Sequence, residues 1–180
     1  MTHGIFIPSD MAAGDVNSLV KNFKGSADLD NGWVVTLGAL TGVAGEAEVF
    51  AAGQPAATAG LTHLYFVDGE SIVLTDSKFK NLDPNVQNYY VPSGKVFTGV
   101  KAQIGDIVKI SADCLATGTG AASAYAVAVA STYKLTWASA AISGVSLRYL
   151  STDYVSLPTT GAIGESQRVT MYKFIVEAIA

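Results

Sequence analysis

Four segments between Asn31 and Cys114 decide the fold: NGWVVTLGAL (31–40), GEAEVFAA (45–52), LTHLYFVDGE (61–70) and VPSGKVFTGVKAQIGDIVKIS (91–111). Each joins a short apolar run to a turn built from Gly, Pro, Asn or Asp. In the first, Trp33, Val35 and Leu37 alternate with Val34, Thr36 and Gly38, the period of two that a strand imposes. EAEVF (46–50) reads as a strand with Glu46, Glu48 and Phe50 on one face, followed by a small-residue loop, AAGQPAATAG (51–60). LTHLYFV (61–67) places Leu61, His63, Tyr65 and Val67 together, and Asp68-Gly69 is a hairpin-type pair leading into ESIVL. VFTGV and IVKIS read as two strands around the turn QIGD. Between them and ESIVL lies a long polar excursion, residues 75–94, of the kind that is functional or ordered by a partner.

Working outward, ATGTGAAS (116–123) reads as a hinge or loop. In AYAVAVASTYKLTW (124–137), Tyr125, Val127, Val129, Tyr133, Leu135 and Trp137 fall on odd positions and alanines on even ones. That predicts strands, with a bend at Ser131-Thr132 and a flat alanine face suited to packing another sheet or subunit. VSLRYL (145–150) is a further strand, and RVTMYKFIVEAIA (168–180), apolar on both faces toward its end, a central buried one. Upstream, Asp15 is placed to cap a short helix over VNSLVKNF (16–23), with Val16, Leu19, Val20 and Phe23 on one face. The expected architecture is mainly β, an antiparallel β-sandwich or barrel-like domain with an N-terminal arm. The arm spans 1–26, a β-rich domain 27–115, the hinge 116–123, and a β-rich continuation 124–180 that packs on the first part. The arm packs on the domain or on a neighbour, or is a partly disordered terminus.

The chain of 180 residues is 49% hydrophobic but only 14% charged, against about 25% in an average globular protein. Either a membrane or other subunits must cover the uncharged surface. The most apolar tract, residues 115–133, is interrupted by Thr, Ser and Gly, so no spanning helix is expected. The opening MTHGIFIPSDMAAGD lacks a basic region followed by an apolar run, so a secretory signal is not expected either. The expectation is a protein made and assembled in the cytoplasm, and low charge points to assembly with other subunits, since interface cores are depleted in Lys, Glu and Asp. A net charge of −4 with scattered Lys and Arg argues against nucleic acid as a partner.

Chemistry-bearing residues are few. The only histidines are His3 and His63, and the only cysteine is Cys114, read as a small core residue. No nucleophile–base set, phosphate loop or zinc signature occurs, so no catalytic, cofactor or metal residue is assigned and no enzyme is expected. Asp28 and Asp30 in DLDNG begin like a calcium loop, but Gly32 comes one place early and no closing Glu follows; an Asx-type turn is the expectation. Glu46 and Glu48 lack any support as a glycosidase pair. Tyr89, Tyr90, Tyr149 and Tyr154 fit either a sugar platform or a protein interface. The interface is favoured because amide partners are sparse, with only Asn81, Asn85, Gln87 and Asn88 clustering.

The order of an NG-initiated strand, GE-x-EVF, LxxLYFV-x-GE and SGKVFTGVK-x-x-x-GDIVKIS, across residues 28–114 with the ending RVTMYKFIVEAI, resembles the capsid decoration or head auxiliary proteins of tailed bacteriophages. The resemblance implies a virion structural protein on the capsid surface, assembled in the host cytoplasm. It would bind and stabilise the shell of major capsid protein and self-associate, often as a homotrimer. Ile5, Phe6, Ile7 and Met11 of the arm, with Tyr89 and Tyr90, are the candidate capsid or subunit contacts. Deleting residues 1–14 is then expected to abolish docking and spare the fold. A tail or fibre subunit and a carbohydrate-binding module are the alternatives.

Overall fold

In the computed structural model the described residues are 2–56, 61, 63–69, 85–116, 124–158 and 166–179. Among them the strands in chain order are β1 (Phe6–Asp10), β2 (Val20–Lys24), β3 (Val34–Leu40), β4 (Val49–Gly53), β5 (Tyr65–Asp68), β6 (Val96–Lys101), β7 (Ile107–Ser111), β8 (Leu115–Ala116), β9 (Tyr125–Ala128), β10 (Leu135–Ala138), β11 (Gly144–Pro158) and β12 (Ser166–Ile179). They form two sheets. One closes into a five-stranded barrel in the order β2-β4-β3-β5-β6; the other is seven-stranded, in the order β1-β7-β12-β11-β9-β10-β8. The expected mainly β, barrel-like architecture is the observed one.

The barrel wall is apolar on both sides, and each side has its own core. Phe23, Val35, Tyr65, Val67 and Phe97 point inward, where Phe23 is fully buried with its ring 5.8 Å from that of Phe97. A Cβ on Gly99 would collide with the Phe23 ring, so the strand beneath that ring carries no side chain there. Val34, Phe66 and Val100 are aligned across β3, β5 and β6 and point outward. They join Phe6, Val108, Ile110, Ala126, Ala128, Leu147 and Phe174 in a second core between barrel and sheet. The alanine face of β9 is thus covered by this chain itself.

Three expectations are corrected by the fold. Residues 16–23 form one 3-10 turn, Asn17–Leu19, and then β2, rather than a helix. A helix of two turns has no stability of its own, whereas β2 closes the barrel by pairing with both β4 and β6. The strand at EAEVF begins only at Val49 and runs through Gly53, into the expected loop. VFTGV and IVKIS do not pair. β6 belongs to the barrel and β7 to the sheet, so residues 102–106 are the crossover between them.

β12 lies between β7 and β11, the central position expected for it. It pairs with β7 only over Met171–Ile175 and β11 pairs with β9 only over Ser146–Arg148, so from Met171 toward its turn the β11–β12 hairpin runs on as a two-stranded ribbon. One face of that ribbon, Val155, Leu157, Val169 and Met171, packs on Ile5 and Ile7. Residues 1–26 divide between the sheets, β1 joining the larger one at its edge and β2 the barrel. Pro8, which has no N–H to give a neighbour, suits that edge. No described helix is long and apolar enough to cross a membrane. The ESIVL strand, most of the hinge and the polar loop after Pro158 lie outside the described residues.

Candidate interaction surfaces

The N-terminal contact candidates are used by the chain's own fold. Ile5, Phe6 and Met11 are buried, and the Phe6 ring stacks on Phe66 at 5.1 Å. Ile5 exchanges hydrogen bonds with Ser111, its N–H donating to Oγ (2.9 Å) and its carbonyl accepting from the Ser111 N–H (3.0 Å). Ile7 is half-buried against the ribbon. These side chains are not available to a shell, and removing residues 1–14 would remove a strand and part of two cores.

Tyr89 and Tyr90 are held between two anchors. Before them, the 3-10 turn Val86–Asn88 is capped by Asn85, whose Oδ1 accepts from the Gln87 N–H, and the Gln87 carbonyl accepts from the His3 N–H (2.7 Å). After them, Val91 and Leu29 exchange two backbone hydrogen bonds. His3 Nδ1 lies 2.8 Å from Asp30 Oδ1, and Asp30 Oδ2 accepts from the Gly4 N–H (3.2 Å). The Tyr90 ring stacks on the His3 imidazole, centroids 4.8 Å apart. Both tyrosines are half-buried and line an open groove of about 620 Å³ with Pro92, Lys95 and Val96. Tyr149 and Tyr154 lie elsewhere. Tyr149 joins Trp137 and Phe174 on the sheet, and Tyr154 carries the Arg168 guanidinium 3.7 Å from its ring. The four tyrosines form no common platform.

A surface not singled out from sequence is the β3–β4 hairpin tip. Leu37, Leu40 and Val43 are 41%, 54% and 47% exposed. The signal was present: residues 34–45 contain no charged side chain. Gly42 and Gly45 turn the chain at positive φ. The loop is pinned by Glu46, which accepts from Lys24 Nζ (2.8 Å) and Thr41 Oγ1 (3.2 Å). The Lys24 hydrogen bond holds the Glu46 carboxyl below its ordinary range.

Other groups resolve simply. Asp28 accepts from the Ser93 N–H (2.8 Å) and Asp30 is used by His3 and Gly4, so both carboxylates serve turns. Cys114 is fully buried, its Sγ donating to the Asn31 carbonyl (3.1 Å), and burial pushes its pKa up to about 12. His63 is exposed. Asp68 ends β5 opposite Thr98, between grooves of about 450 and 480 Å³. Among the described residues it has no ion-pair or hydrogen-bond partner, and burial pushes its carboxyl above the ordinary value.

No protein-family model, no curated protein and no solved structure matches this chain.

Proposed function

We propose that this chain is a non-enzymatic virion structural protein, a decoration protein that binds and stabilises a phage capsid shell, with the major capsid protein and further copies of itself as partners. The observation that carries the reading is the uncharged β3–β4 tip. Leu37, Leu40 and Val43 stand exposed on a pinned hairpin, a patch of the composition found in the buried centre of protein interfaces. The order of motifs over residues 28–114 and the low overall charge support it. Many identical weak contacts on a lattice sum to a large stabilisation of the shell.

The experiment is co-sedimentation with expanded, DNA-free phage capsids, run against unassembled capsid protein. Saturable binding to shells alone, lost in a Leu40→Asp/Val43→Asp variant that still folds, is the expected result. A protein present in virions that does not bind shells belongs to the tail or fibre. Absence from virions ends the structural reading.

A further inference from the structure

We infer that the groove beside Tyr89 and Tyr90 is a saccharide-binding site, in which the tyrosine rings carry a pyranose ring and Lys95 donates to its oxygens. Four observations lead there. The surface is concave, and about 620 Å³ is the size of a small-ligand site rather than of a flat protein contact. Its walls combine apolar ring faces with hydroxyl edges, matching a sugar's C–H face and its hydroxyl rim.

The walls are also ordered in advance. Tyr90 rests on His3, His3 is held by Asp30, and the backbone on either side is tied down, Gln87 to His3 and Val91 to Leu29. Little side-chain freedom is left for a ligand to remove. Finally, the groove opens at the start of β6, in a closed five-stranded barrel whose pairings are all antiparallel except β2 with β4. Ligand sites occur preferentially in the mouths of β-barrels. A nucleic acid would need a clustered basic face, whereas among the described residues this groove has Lys95 alone of the Lys and Arg, and the chain is net −4.

The test is titration of the ¹⁵N-labelled full chain with cellohexaose, chitohexaose and oligogalacturonate, followed by amide shifts. Shifts confined to the Asn88–Phe97 region are expected with at least one of them. Tyr89→Ala should weaken that binding by about tenfold, the scale of one aromatic contact. Tyr89→Phe should retain most of it, and His3→Ala, a positioning change, should weaken it less than Tyr89→Ala. Lys95→Ala, at an exposed position, tests the groove without threatening the fold, and Tyr154→Ala should have no effect. No shift in those amides from any of the three sugars, or unchanged binding by both Tyr89→Ala and Lys95→Ala, overturns the inference. So does stronger binding there by oligo(dT) or a proline-rich peptide. The result is separate from shell docking, which can fail or succeed independently.

Discussion

The carboxylate of Asp106 accepts from the backbone N–H of Ala12 at 2.9 Å, and its second oxygen accepts from the Gln103 N–H at 2.8 Å. Asp106 is buried on the crossover from β6 to β7, and its own carbonyl accepts from the Val176 N–H. One side chain thus ties the segment after β1 to the junction between barrel and sheet. Asp106→Ala leaves two backbone donors without an acceptor and should cost about 3 kcal/mol. Asp106→Asn, with one acceptor oxygen, should cost less. Urea unfolding measures both, and an alanine variant as stable as the parent would refute the assignment.

Removal of residues 1–14 tests the same region more severely. Burial of Ile5, Phe6 and Met11 is lost, at about 1.5–3 kcal/mol for each large side chain. Their partners Phe66, Ile110 and Met171 are uncovered as well. Against a total stability of about 5–15 kcal/mol, the truncated chain should show no cooperative thermal transition by circular dichroism. A truncated protein with a sharp transition near that of the full chain would show that β1 is dispensable.

How legible all this was depends on where each pattern gets its meaning. Alternation in Trp33–Leu37 and in Tyr125–Val129 is local, and it announces strands by itself. The β2 segment misleads because Val16, Leu19, Val20 and Phe23 satisfy a helical spacing, while in the strand Val20 and Phe23 fall on opposite sides of the barrel wall and serve two different cores. Only barrel closure, a contact with residues far away in the chain, decides between helix and strand. The separation of β6 from β7 was equally hidden, since a turn such as QIGD looks the same in a hairpin and in a crossover. Phe6 and Met11 in an apolar opening suit a docking arm or a core strand, and the choice rests on β7 offering a free edge. The tyrosines at 89 and 90 were visible, but the His3–Asp30 brace behind them spans residues that no local pattern connects.

Cys114 should be chemically silent in the native state. With its thiol pKa near 12 and no exposed surface, the thiolate that reacts is almost absent at neutral pH. A disulfide reagent such as DTNB should label it only as fast as the chain unfolds, so labelling should track the urea midpoint. Rapid labelling of native protein at pH 7 would place the thiol at the surface.

Asp68 sets a pH dependence whose sign follows from its burial. Its folded-state carboxyl titrates above the ordinary value because burial desolvates it, and among the described residues no cation pairs with it. Below the ordinary carboxylate range the group is protonated in both states and costs nothing. As pH rises through the raised value, the folded state must hold a charge that the unfolded state holds more easily, and stability falls. Asp153 acts in the opposite direction. The Lys109 hydrogen bond lowers its carboxyl, so its contribution is present at neutral pH and is lost on acidification through the ordinary range. Asp68→Asn should therefore be more stable than the parent at pH 7, with the gap closing as pH falls below the usual aspartate value. Asp153→Asn should be less stable at pH 7, with its gap closing at lower pH, as the pH falls from the ordinary aspartate value through the lowered folded-state one. Urea midpoints measured from acid to neutral pH separate the two. An Asp68→Asn variant that is weaker than the parent at neutral pH would mean that the carboxylate has a favourable partner in solution, and that the groove around it is not the uncompensated site described.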